Sequence, residues 1–127
     1  MIAYAATTRD ITVTVHPVYL DEPSDFFQKQ FAFAYAVHIE NRSQDEVQLI
    51  RRHWIIEETN GQKQDVEGEG VVGQQPIIQP GRTHRYSSSC TINSFGGRME
   101  GTYLMQRANG ERFRATIPRF PLHVAAN

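Results

Sequence analysis

Cysteine is almost absent: Cys90 is the only one in 127 residues. A lone thiol cannot close an internal disulfide or build a multi-thiolate metal site, so the chain suits a reducing compartment. Surplus charge is also missing. With 13 basic and 14 acidic residues the formal charge is −1, which argues against nucleic acid or another polyanion as a general partner and against an acidic tail. No apolar run approaches a membrane span, and the N-terminus has no basic stretch leading into an apolar core; the expected location is cytoplasmic. Helical periodicity is nearly absent as well.

What the chain does have is alternation. Ile11, Val13 and Val15 alternate with Thr12, Thr14 and His16, and Phe31, Phe33, Tyr35, Val37 and Ile39 alternate with Ala32, Ala34, Ala36, His38 and Glu40, the period of half-buried strands. Residues 47–58 form a third strand. There Leu49 and Trp54 are an odd number apart and share a face only if a bulge intervenes, placed at Arg51-Arg52. Asn60-Gly61 predicts a two-residue hairpin turn, Asn109-Gly110 is a second hairpin signal, and Pro80-Gly81 fits a type II turn. Further strands are expected over 62–67, 84–92, 99–108 and 113–117. Pro118 and Pro121 require the last strand to end there or to lie at an edge. The expectation is one domain over 1–127, ordered from about 4 to 124, folded as an all-β antiparallel sandwich of about seven strands.

Gly68-Glu69-Gly70-Val71-Val72-Gly73 spells GxGxxG, the dinucleotide fingerprint, but its required neighbours are missing. The fingerprint needs a buried strand before it and a helix after it. Here residues 62–67 are polar and Pro76 and Pro80 follow, and after Gly73 the next carboxylate is Glu100. Three readings of the loop remain. It is a connection needing several positive-φ positions; or a concave run of N–H groups that holds an anion, assisted by Arg82 or Arg85; or a partner patch, since adjacent Val71 and Val72 cannot both point inward.

His16, His38, His53, His84 and His123 show no metal-binding spacing, and no metal or cofactor is expected. Ser87, Ser88, Ser89 and Cys90 lie near His84, yet strand alternation separates neighbours onto opposite faces and no orienting acid accompanies them. A Ser-rich outer strand without catalytic residues is the expectation. Trp54 and Tyr103 read as core.

Arg52-His53-Trp54, the GxGVVG run, Pro80-Gly81, Gly97-Arg98-Met99-Glu100-Gly101-Thr102-Tyr103-Leu104-Met105 and Ile117-Pro118-Arg119-Phe120 together resemble the ApaG family from about Tyr4 to Val124. Gln74 and Ser87-Ser88-Ser89 depart from the family's pattern without breaking the likeness. The resemblance implies a fibronectin-type-III-like, immunoglobulin-like sandwich. It also implies a loosely defined role, associated genetically with cobalt resistance and magnesium efflux. A domain without a membrane path would serve that role indirectly. The resulting expectation is a non-enzymatic binding or adaptor module whose protein partner is unidentified and could include another copy of itself. Its contact surface is placed at Gly68, Gly70, Val71, Val72, Gly73, Arg82 and Arg85. The alternative is a phosphate, pyrophosphate or nucleotide sensor using the same loop, and an enzyme acting on a pyrophosphate-containing substrate stands third.

Overall fold

The computed structural model describes residues 2–124, and all of its regular structure is strand. In chain order these are β1 (Tyr4–Thr8), β2 (Ile11–Asp25), β3 (Gln30–Asn41), β4 (Val47–Glu58), β5 (Lys63–Glu69), β6 (Ile77–Ile78), β7 (Thr83–Ile92), β8 (Gly96–Arg107) and β9 (Arg112–His123). One antiparallel sheet runs β1-β2-β3-β7 and the other β5-β4-β8-β9, with β6 also paired to β4. The sheets pack as a sandwich. Phe31, Phe33, Tyr35, Val37 and Ile39 of β3 are buried while the alanines between them are half-buried on the other face, as strand alternation dictates. Opposite them lie Leu49, Trp54, Tyr103, Met105 and Ile117.

Nine strands rather than about seven are present among the described residues. The two extra ones, β1 and β6, carry a weak signal because Tyr-Ala-Ala-Thr-Thr has little apolar contrast and β6 is a two-residue bridge. The bulge in β4 lies at Ile50, one position before the expected site: Leu49 pairs with Met105 and Arg51 with Leu104. Parity therefore changes before Arg52, which turns inward with Trp54.

Asn109-Gly110 forms its expected hairpin, whereas Asn60-Gly61 differs from the two-residue turn expected there. Gly61 N donates to Glu58 O and Glu58 N to Gln62 O, and the same pattern recurs at Arg107, Gly110 and Glu111. Only the glycines have positive φ, 91° at Gly61 and 89° at Gly110. Each is a three-residue loop ending in a glycine bulge rather than a two-residue turn. Pro80-Gly81 forms its expected turn, with Gly81 at φ 78° and Arg82 N bonded to Gln79 O. Pro118 and Pro121 sit in β9, an edge strand, where a missing donor is tolerated.

The two long sides of the sandwich are unlike. On one, β1 and β9 meet: Thr116 N donates to Thr8 Oγ1 at 3.0 Å, and the Tyr4 and Phe120 rings lie 6.2 Å apart. On the other, β5 and β7 are both sheet edges, and a groove runs between them.

Candidate functional site

The glycine motif forms one end of this groove. β5 covers Arg51–Glu57 of β4, and β6 covers Val47 and Gln48 on the same edge. Between them the chain leaves β4 at Gly70, whose N–H donates to Ile50 O at 2.8 Å, and returns at Pro76, whose carbonyl accepts from Leu49 N at 3.0 Å. The excursion is a hairpin in which Val71 and Gln74 exchange both backbone bonds, 2.7 and 3.0 Å. Its two central residues, Val72 at φ 47° and Gly73 at φ 74°, give it the form of a type I′ turn.

Gly70 is required by fixed backbone, whereas Gly68 faces only the movable guanidinium of Arg52. A Cβ on Gly70 would stand 1.9 Å from Gln74 O, and one on Gly68 2.8 Å from Arg52 Nη2. Arg52, turned inward by the bulge, donates from Nη1 to the carbonyls of Glu69 and Gly70, both at 3.0 Å. The amides of Gly70, Val71 and Gln74 meanwhile donate to backbone carbonyls. Of the adjacent valines, Val71 is 1% exposed and Val72 66%, because Val71 pairs with Gln74 while Val72 occupies the tip of the turn. Val72 is a β-branched residue held in the left-handed region, a conformation that costs energy and recurs at functional sites.

Behind the hairpin lies a cavity of about 470 Å³. Its floor is Tyr35, Trp54, Ile56 and Met99; Gln64 and Val66 line it from β5, Tyr86, Ser88 and Cys90 from β7, and Arg52 and Val72 from the hairpin end. Aromatic rings stabilise the floor, with Tyr35 and Trp54 centroids 5.2 Å apart and Trp54 edge-on to Tyr103 at 6.3 Å. The hydroxyls of Tyr86 and Tyr103 are hydrogen-bonded to each other. Burial pushes both phenols above the ordinary tyrosine range, and pushes the Cys90 thiol up to about 11 with Glu58 adding to the effect. At neutral pH the groove therefore holds no thiolate or phenolate.

All three serines border the groove, Ser88 half-buried from the inward face of β7 and Ser87 and Ser89 exposed along its edge; the outer-strand expectation thus fits the exposure of two of the three serines. His84 and Ser88 are four residues apart along one strand, about 13 Å at the usual rise, so they form no relay. Arg82 lies in the turn after β6, its carbonyl accepting from Asn41 N. Arg85 projects from the exposed face of β7 opposite His38, not into the groove. The cation beside the glycines is Arg52. Its parity signal was present in the Leu49 and Trp54 spacing, and any bulge before Arg52 aims it inward. Among the described residues no group of three or more His, Cys, Asp or Glu could hold a metal ion, and no helix is long and apolar enough to cross a membrane.

The family model described as DUF525, ApaG domain, matches residues 21–107. Protein ApaG of Methylobacterium sp. (strain 4-46) is 47% identical over 121 residues, 95% of this chain and 93% of the relative. Protein ApaG of Agrobacterium fabrum is 47% identical over 119 residues, covering 94% and 92%. The crystal structure of a Bordetella pertussis protein given the name ApaA superposes with a TM-score of 0.89 at 43% identity, over 93% of this chain and 96% of that one. Sequence and three-dimensional likeness extend over nearly the whole length, so the chain belongs to the ApaG family.

Proposed function

We propose that this chain is a non-enzymatic binding or adaptor module of the cytoplasm, with its contact surface at the Val72 hairpin and the groove beside it. The observation that carries this reading is Val72, a β-branched residue at φ 47° and 66% exposed. A glycine or asparagine would relieve the backbone there, so an apolar side chain at that tip is a cost to the fold that contact with a partner offsets. The absence of thiolate or phenolate at neutral pH and the separation of His84 from Ser88 support a binding role over a catalytic one.

A phosphate or pyrophosphate sensor is the second reading, and the Arg52 cation is what favours it. Against it, the Arg52 Nη1 group and three amides of the hairpin already donate to carbonyls, leaving fewer donors for an anion. Any tie to cobalt or magnesium is proposed to be indirect, through the partner. The test is affinity capture with cross-linking, comparing wild type and Val72→Asp, with circular dichroism and sedimentation as controls. The folded variant is expected to lose the wild-type partner or self-association; unchanged capture and self-association would sink this assignment. Calorimetry with ATP and diadenosine polyphosphates is expected to detect nothing tighter than about millimolar, roughly −4 kcal/mol. Micromolar binding abolished by Gly70→Val would promote the sensor.

A further inference from the structure

The groove between β5 and β7 is bounded at both ends. At one stands the hairpin, whose Val71 and Val72 line it. At the other, the Glu58 carboxylate of β4 accepts from Asn93 N at 2.7 Å and from Ser94 Oγ at 3.1 Å, tying the connection between β7 and β8 across the sandwich. The space between is about 470 Å³, a size usual for small-molecule sites. A compartment closed in this way suits a compact ligand rather than a running segment of chain.

Charge inside the compartment has one sign. Arg52 is the only charged side chain that lines it. β5 turns Gln64 and Val66 toward the groove, while Asp65, Glu67 and Glu69 alternate with them on the outer face, the first two beside His53. Among the described residues Arg52 therefore makes no ion pair. Its hydrogen bonds run from Nη1 to the carbonyls of Glu69 and Gly70, and Nε and Nη2 donate to no protein group. Those two nitrogens are the parallel donors of the side-on fork that takes a carboxylate bidentately. Gly68 makes room for the guanidinium, since a Cβ there would stand 2.8 Å from Nη2. Burial raises the Tyr35, Tyr86 and Tyr103 phenols and the Arg52 charge opposes it in all three, so its field reaches across the groove.

We propose that the groove binds a small aromatic hydroxy acid, its carboxylate paired with Nε and Nη2 of Arg52 and its ring held between Val66 of β5 and Tyr86 of β7. One fixed positive charge balances one carboxylate. A phosphate monoester carries about 1.5–2 negative charges at neutral pH and would be left partly uncompensated against a half-buried wall, with the amides of Gly70, Val71 and Gln74 already committed to carbonyls. The ligand's hydroxyl meets the neutral Ser88 hydroxyl and the Gln64 amide, which line the two sides. This site goes beyond the partner reading: it is filled from within the groove, whereas the partner reading rests on the exposed tip of Val72.

Ligand-detected NMR and calorimetry with para-hydroxybenzoate, its neutral isostere para-hydroxybenzamide and phenyl phosphate test the site. The acid is expected to bind at about millimolar or tighter, the amide at least tenfold more weakly and phenyl phosphate less tightly than the acid, with shift changes concentrated at Arg52, Val66, Tyr86 and Ser88. Ser88→Leu and Gln64→Trp, which fill the groove from β7 and from β5, should each weaken the acid at least tenfold, with folding checked by circular dichroism. Arg52→Lys, which keeps the charge and loses the fork, should weaken it at least threefold. Equal binding of acid and amide, tighter binding of phenyl phosphate, or folded groove-filling variants that bind like wild type would overturn the site. Stronger binding of a capped pentapeptide with one central glutamate would assign the carboxylate to a partner protein and overturn the small acid. No binding of the acid, with capture still lost in Val72→Asp, would remove this site and leave the binding module standing; acid binding intact with capture unchanged in Val72→Asp would do the reverse.

Discussion

Arg52 Nη1 lies 3.0 Å from the carbonyl oxygen of Gly70, so the cation of the groove holds the glycine hairpin by its acceptors. The same nitrogen reaches Glu69 O at 3.0 Å. This arrangement ties the carbonyls of Glu69 and Gly70 to one inward side chain, and a methyl group on Gly68 would displace that guanidinium, whose Nη2 would stand 2.8 Å from it.

Arg52→Ala is expected to destabilise the domain by about 1–3 kcal/mol, the range for leaving acceptors without a charged donor. Arg52→Lys should recover only part, because an ammonium lacks the planar fork. Urea titrations measure both; a loss below about 0.5 kcal/mol for alanine would mean that solvent replaces the guanidinium without penalty.

Val72→Asn should raise stability by about 1 kcal/mol while weakening partner capture, since asparagine accepts positive φ and removes the exposed apolar tip. Opposite signs in the denaturant midpoint and in capture would separate the hairpin's fold from its use. A destabilised variant would contradict the strain argument.

Gly70→Ala should cost distinctly more than Gly73→Ala. Both have positive φ, but a Cβ on Gly70 meets Gln74 O at 1.9 Å, whereas one on Gly73 meets nothing within 4 Å. About 1–2 kcal/mol is expected at Gly73 for the backbone alone, and a larger loss at Gly70. Equal losses in chemical denaturation would contradict the steric argument.

Trp54→Ala should cost on the order of 3–5 kcal/mol. Trp54 is 3% exposed and packs against Tyr35, Tyr103 and Phe120. A loss below about 1 kcal/mol in a denaturant titration would remove it from the core.

Alkaline pH should weaken the fold. Burial raises the Tyr86 and Tyr103 phenols above the ordinary tyrosine value of 10.0, so as pH passes 10 the unfolded chain releases protons that the native chain retains. Stability is fully present below that point and falls as pH rises toward the native values, by up to about 1.4 kcal/mol per pH unit for each phenol. Tyr86→Phe should flatten the loss measured by melts between pH 9 and 12; an unchanged slope would exclude Tyr86 as its source.

Alternation in β3 was legible because strand faces depend only on odd and even spacing, a local property of the backbone; in the valine pair one residue is exposed as expected, but a turn and not alternation exposes it. Both Asn-Gly pairs marked the right places, but Asn60-Gly61 not the right loop. The sequence allows either loop; the pairing of Glu58 with Gln62 and of Arg107 with Glu111 leaves three residues between the strands, and register is a tertiary quantity. The type I′ form appears instead at Val72-Gly73, where the ends are set by β4. Asn41 gave no signal at all. Its side chain is fully buried, donates to Asp45 O and Ile78 O, and accepts from Ser43, linking β3 to residues far along the chain.

By itself, then, the sequence determined the strands, their inward faces, the exposure of one of two adjacent valines and the family likeness. Tertiary structure decided that the bulge falls at Ile50, before Arg52, so that Arg52 rather than Arg51 shares the inward face of Trp54. It also decided that β5 and β7 are the edges facing an open groove. Both outcomes depend on long-range pairing: local alternation specifies which side chains share a face, but only the completed sheets specify which backbone edge is left without a neighbour.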